Sequence, residues 1–188
     1  MSAPRVALGA LLVAGVAVAF ALGPGSRTRS APAGPLRPAP EFAGIERWRN
    51  SEPLTMASLR GKVVLVEFWT FACSNCVHML PHVSRWWKDY AARGLVVVGV
   101  HTPETDFEQM DEQLERALAR HRITYPVAQD NAWATWKAWD NHYWPAFYLV
   151  DRRGNVAFRQ FGEGDHETIE AAIERLLAEP EAQPAAAR

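Results

Sequence analysis

Residues 62–76 read KVVLVEFWTFACSNC. The run from Lys62 to Trp69 is nearly all apolar and rich in β-branched residues. A strand covered on both faces has this composition, as in the interior of a parallel sheet. TFACSNC follows at once, and the pattern then changes from strand to helix. Val77, Leu80, Val83 or Ser84, Trp87 and Tyr90 recur on one face, with His78, His82, Arg85 and Asp89 opposite. Gly94 ends that helix. Cys73 and Cys76 therefore sit where a buried strand hands over to a helix.

Further along the chain, Leu95 to Val100 predicts a second buried strand. Thr105 to Arg122 predicts one charged amphipathic helix carrying Phe107, Met110, Leu114 and Leu118 at helical spacing. Tyr125 to Gln129 reads as a short strand, and the segment of Trp133, Trp136 and Trp139 as a short helix. Ala146 to Asp151 and Val156 to Phe161 flank Arg152-Arg153-Gly154-Asn155, which has the turn chemistry of a hairpin. Glu167 to Ala178 closes the pattern as a helix with Ile169, Ile173 and Leu176 or Leu177 inward. The order β-α-β-α-(β)-α-β-β-α is that of an α/β domain, a mixed sheet with helices on both faces. No internal repeat is visible.

These elements occupy residues 41–179, close to the commonest single-domain size. Residues 1–22 contain Arg5 and an apolar run from Val6 to Leu22. The run is long for a cleavable signal core and at the short limit for a spanning helix, so signal peptide and membrane anchor both stand. Ala19-Phe20-Ala21 supplies a small-residue cleavage pattern. Residues 23–40 read as a disordered Pro/Gly-rich spacer and 180–188 as a disordered tail. Arg27, Arg29 and Arg37 follow the apolar run, and the positive-inside tendency places them on the cytoplasmic side, which opposes export. A net charge of −1 gives a nucleic-acid partner no electrostatic support. The eight tryptophans fall mostly within apolar patterns and read as packing residues.

With only two cysteines, three positions apart, a disulfide framework is excluded. Cys73 stands at the leading end of a helix, where backbone N–H groups and the helix dipole stabilise an anion and shift a thiol toward thiolate. The thiolate is the attacking species in disulfide exchange, and Cys76, one turn on, can reach back to resolve the mixed disulfide. A c-type haem site needs histidine directly after the second cysteine, where Val77 stands. A zinc site needs two more ligands. His78 and His82, two and six residues beyond Cys76, are turned roughly 150–200° away from it on a 3.6-residue helix. No resident cofactor or metal is expected beyond the redox-active Cys73–Cys76 pair.

The chain resembles the thioredoxin superfamily, and within it the TlpA-like and DipZ C-terminal-like group of extracytoplasmic thiol–disulfide oxidoreductases. WRNSEPLTMASLRGKVVLVEFWTFACSNC, GVHTPE, YPVAQDN, WPAFYLVDRRGN and GEG carry the resemblance, in order and with similar spacing. It implies a thioredoxin-like fold with an N-terminal β-hairpin extension. It implies that Cys73 and Cys76 are the redox pair and that Glu67 is the buried acid that takes and returns the resolving thiol's proton. A carboxyl inside an apolar strand has a raised pKa suited to that task, whereas an edge-strand glutamate would reach solvent. Pro145 matches the cis-proline facing the disulfide, which would present the backbone of Trp144 to an extended substrate. Trp144 is thus a candidate substrate contact or a core aromatic. Ser74 and Asn75 lie between the cysteines and replace the Gly-Pro of reducing thioredoxins, which leaves the direction of electron flow open. Pro81 matches the proline within the active-site helix. His101 is a candidate site neighbour or a structural histidine.

The resemblance implies exchange with protein thiols and disulfides, as a periplasmic or otherwise extracytoplasmic reductant serving cytochrome c maturation or redox homeostasis. A separate membrane electron donor of the CcdA or DsbD type would then be a partner, and the N-terminal segment, if uncleaved, would tether the domain to the membrane. Two alternatives stand beside it. One is a peroxiredoxin-like thiol peroxidase, for which Thr70 lies three residues before Cys73 but Val66 replaces the expected proline. The other is a non-enzymatic metal- or haem-binding chaperone that would enlist His101 or His142.

Overall fold

A computed structural model of the protein describes residues 37–180. The apolar run, the spacer up to residue 36 and the tail from residue 181 lie outside the described residues. No helix among the described residues is long and apolar enough to cross a membrane.

The run read from the sequence as a two-sided strand is β3, Val63–Trp69, and every one of its residues is buried. It is flanked by β4 (Leu95–His101), parallel to it, and β6 (Ala146–Val150), antiparallel. Beyond β4 lies β5 (Val127–Gln129), again parallel, and beyond β6 lies β7 (Asn155–Phe161), antiparallel. Two short strands close the edges: β1 (Arg37–Pro38) on β7 and β2 (Arg47–Arg49) on β5. The sheet order is β1-β7-β6-β3-β4-β5-β2. This is the mixed sheet expected of a thioredoxin-like fold.

The pleat divides the core in two. Val63, Leu65 and Trp69 face α1 (Ser74–Tyr90), α3 (Asp111–His121) and α5 (His166–Ala178). Val64, Val66 and Phe68 face α4 (Ala134–Ala138) and the segment of Phe42, Ile45, Leu54, Met56 and Leu59. Burying each large apolar side chain of β3 stabilises the fold by roughly 1.5–3 kcal/mol. That sum outweighs the cost of the one carboxyl the strand carries inward.

Four expectations need correction. The N-terminal extension is not a hairpin. β1 and β2 lie at opposite edges, because Ala39, Phe42 and Ile45 pack on the second sheet face and lay the intervening chain across it. Arg37 and Pro38 belong to β1, so the spacer does not reach residue 40. The single helix from Thr105 to Arg122 is two, α2 (Asp106–Gln109) and α3, broken at Met110, whose backbone is extended. The side chains of Gln129 and Asn131 donate to the Gln109 carbonyl there, at 2.9 and 3.2 Å, replacing the helical bonds lost. Phe107 and Met110 are consequently exposed, at 55% and 49%, rather than inward. Finally, α1 buries Cys76, Met79, Leu80, Val83, Trp86 and Tyr90, a face turned from the one expected, with Trp86 fully inside and Trp87 half-buried.

Gly99 of β4 lies opposite Glu67 of β3. A Cβ on Gly99 would stand 2.9 Å from Trp69 Nε1 and 3.0 Å from Tyr125 Cε2, so the two rings use the space a side chain would fill. Gly99→Ala is therefore expected to lower stability by about 1–3 kcal/mol through overpacking. The reading is a lower urea midpoint with an unchanged slope, and an unaltered midpoint would show that the rings are not held there.

Candidate active site

β3 ends at Trp69 and α1 begins at Ser74, so only Thr70 to Cys73 connect them. Cys73 is the N-cap of α1, with extended backbone, and its sulfur accepts from the Cys76 N–H at 3.2 Å. Its carbonyl accepts from the Val77 N–H at 3.0 Å, the first bond of the helix. No acidic residue lies in the first turn to oppose an anion there. The two sulfurs are at disulfide distance, with Cα atoms 5.3 Å apart. Cys73 is half-buried and Cys76 fully buried, so a partner thiol or disulfide approaching from solvent meets Cys73 first. Ser74 and Asn75 are exposed in front of the pair. α1 runs through Pro81, whose missing N–H leaves the helix without one internal donor.

Glu67 lies in the central strand and is wholly buried, so the edge-strand alternative is removed. Its position in the pleat, in step with Leu65 and Trp69, puts it on the sheet face that packs on α1 and Cys76. The Tyr125 hydroxyl donates to Glu67 Oε2 at 3.1 Å, while Oε1 has no protein partner. Burial pushes the carboxyl from 4.5 up to about 8, against the smaller lowering effect of the Tyr125 bond. At neutral pH, with the disulfide formed, Glu67 holds a proton.

The Trp144–Pro145 peptide is cis, as the family register implied. Trp144 is half-buried, its indole N–H donating to the Thr102 carbonyl at 3.1 Å and its ring packed 4.0 Å from that of Trp136. Trp144 and Cys73 both pack against the core layer that contains Cys76. The ring of Trp144 thus takes part in packing on both core layers.

His101 is buried at the end of β4, paired with Trp69, and stacks on Phe71 with ring centres 5.3 Å apart. Burial lowers it to about 4, so it is neutral. His142 is exposed beside Asp140, and His82 stacks on His166 at 4.2 Å. His78 faces Glu163 at 2.9 Å. Among the described residues, no group of three or more His, Cys, Asp or Glu side chains is placed to hold a metal ion.

Two residues of the site escaped the sequence reading. Tyr125, read only as the start of a strand, is the partner of Glu67. Glu108, within the stretch read as one charged amphipathic helix, is completely buried behind the loop that precedes Cys73. A signal for it existed: Thr105-x-x-Glu108 has capping-box spacing, and the structure forms that box.

Residues 35–159 match the AhpC/TSA family. The chain belongs to that family. Protein DipZ of Mycobacterium tuberculosis (strain CDC 1551 / Oshkosh) is 45% identical over 142 residues, 74% of this chain and 20% of DipZ. The chain thus spans about a fifth of that relative's length. Thiol-disulfide oxidoreductase YkuV of Bacillus subtilis (strain 168) is 31% identical over 145 residues, 77% of this chain and 97% of YkuV. The solution structure of a thioredoxin-like protein in the oxidised form matches with a TM-score of 0.71 and 33% identity, over 78% of this chain and 98% of that one. The chain shares the thioredoxin-like fold of that oxidised structure and carries its CxxC pair at disulfide distance.

The state of Glu67 has a consequence for stability in the oxidised protein. The folded form binds its proton more tightly than the unfolded chain, so this group's contribution is full below pH 4.5 and is lost as pH rises toward about 8. Glu67→Gln, which cannot ionise, should therefore gain on the wild type by about 1.4 kcal/mol per pH unit across that window. Urea unfolding of both oxidised proteins at several pH values checks this, and parallel pH dependences would contradict a neutral Glu67.

Proposed function

We propose that the protein reduces disulfides in other proteins, with Cys73 as nucleophile, Cys76 as resolving thiol and Glu67 as the group that carries the resolving proton. The observation that carries this reading is the division of the pair: one sulfur half-exposed at the helix start, the other buried on the face where Glu67 lies. The Cys73 thiolate attacks one sulfur of a substrate disulfide, whose other sulfur leaves as thiolate. Cys76 passes its proton to the Glu67 carboxylate and attacks the Cys73 sulfur. The mixed disulfide breaks, the second substrate sulfur leaves as thiolate, and Cys73 and Cys76 are joined. Two electrons have moved from protein to substrate. The cycle ends with Glu67 protonated, the state its burial favours when the disulfide is closed.

The apolar segment at residues 6–22 and the likeness to the extracytoplasmic group support work outside the cytoplasm, with electrons supplied by a separate membrane protein. Cytochrome c maturation or general redox homeostasis is the setting this reading favours. A peroxidase reading would need the Thr70 hydroxyl turned to Cys73, whereas it donates to Glu108. A reporter active only outside the cytoplasm, fused after Glu179, tests the location, and a silent reporter overturns it. The potential of the Cys73/Cys76 couple tests the direction. A value near about −270 mV fits a reductant, and one near about −120 mV an oxidant.

Cys76→Ser is expected to accumulate a mixed disulfide with reduced-and-reoxidised insulin chains, visible on non-reducing gels and cleared by dithiothreitol. Cys73→Ser should form none and should lose catalysis of insulin reduction. Equal adduct formation by the two variants would contradict the assignment of nucleophile and resolving thiol.

A further inference from the structure

The three residues between β3 and Cys73 are held from behind by one array of side chains. Glu108 Oε1 accepts from the Thr70 hydroxyl and from the Ala72 N–H, the latter at 3.3 Å. Its Oε2 accepts from the N–H groups of Glu104 and Thr105 and from the Thr105 hydroxyl, at 3.0, 3.0 and 3.1 Å. Burial pushes this carboxyl up, but the five donors outweigh it and hold it below the ordinary carboxylate range.

The direction of each bond follows. A carboxylate only accepts, so the single hydroxyl proton of Thr70 goes to Glu108. What Thr70 has left is a lone pair, and the group facing it at 3.3 Å is His101 Nε2. His101 must then carry its proton on Nε2, which leaves Nδ1 a bare acceptor; Nδ1 is buried and has no protein donor. The order is His101 N–H to Thr70 O–H to Glu108 carboxylate. Phe71, stacked flat on His101, is fixed by the same array. Thr70, Phe71 and Ala72 are thus each tied to it, and Cys73 is the next residue.

We propose that Glu108 and Thr70 are positioning residues for Cys73, holding the loop so that the sulfur stays at the leading end of α1. The proposal rests on Cys73 being the nucleophile. It also accounts for the break at Met110. A continuous helix would lay Glu108 along its solvated face, whereas the short α2 turns it inward to the loop.

The test is the pH profile of Cys73 alkylation by iodoacetamide in the reduced full-length protein, with insulin reduction measured alongside. Thr70→Val keeps the shape and removes the hydroxyl. It frees the loop and leaves Glu108 with one donor fewer, and both changes oppose a thiolate at Cys73. The expected result is a more basic thiol, alkylated about tenfold more slowly at pH 6, which corresponds to one pKa unit. Thr70→Ser restores the hydroxyl and should stay within about twofold of wild type by the same measure. An unchanged or more acidic thiol in Thr70→Val, or a shift in Thr70→Ser as large as in Thr70→Val, overturns the proposal. Should Thr70→Val fail to fold, Thr70→Ala is read by the same criteria. A wild-type Cys73 no more acidic than free cysteine would instead count against the nucleophile assignment. The comparison between the Val and Ser variants still decides the array.

Discussion

The site depends on one constraint, the burial of β3 on both faces. A strand that shows no side chain to water must sit in the middle of the sheet, between a parallel and an antiparallel neighbour. Its end is then fixed by ten backbone rungs rather than by loop contacts, counted as pairs to β4 and β6 within Val64–Phe68. Cys73, four residues past that end, inherits the precision of the sheet. The same burial converts Glu67 from a surface charge into a neutral acid, so the scaffold and the neutral carboxyl have a single cause.

How far the sequence reading reached follows from the range of the forces involved. β3, the hairpin of β6 and β7, and α5 are set by local composition and turn chemistry, and each was legible. So were Cys73, Cys76 and the position of Pro145, whose meaning lies in their order along the chain. The break at Met110 was not, because the preceding Gln109 carbonyl is satisfied by Gln129 and Asn131, about twenty residues away in sequence, and no local period reports that. The burial of Trp86 rather than Trp87 escaped for a different reason. Adjacent tryptophans on a helix differ by about 100°, and the apolar pattern fits both until α5 and the sheet select one. The placement of β1 and β2 on opposite edges, in place of the expected hairpin, escaped because strands of two and three residues carry no period at all.

Tyr125 and Glu108 mark the limit more sharply. Both act through hydrogen bonds to residues 58 and 38 positions away. Spacing can nominate a capping box at Thr105 and Glu108, but the box would form equally well on a solvated helix. Only the packing of α2 against the loop shows that the same carboxylate also reaches Thr70 and Ala72.

The two buried glutamates show how one residue type fills opposite roles within a single domain. Each is fully removed from solvent. Glu67 meets one donor and leaves an oxygen bare, so burial prevails and the proton stays. Glu108 meets five, so the hydrogen bonds prevail and the charge stays. A carboxyl that binds its proton near the working pH is able to exchange it, and one that remains charged is suited to hold donors in place. The count of donors, rather than depth of burial, separates the neutral carboxyl from the charged one. That distinction suits Glu67 to the proposed exchange of a proton with the cysteines and Glu108 to the proposed placement of Cys73.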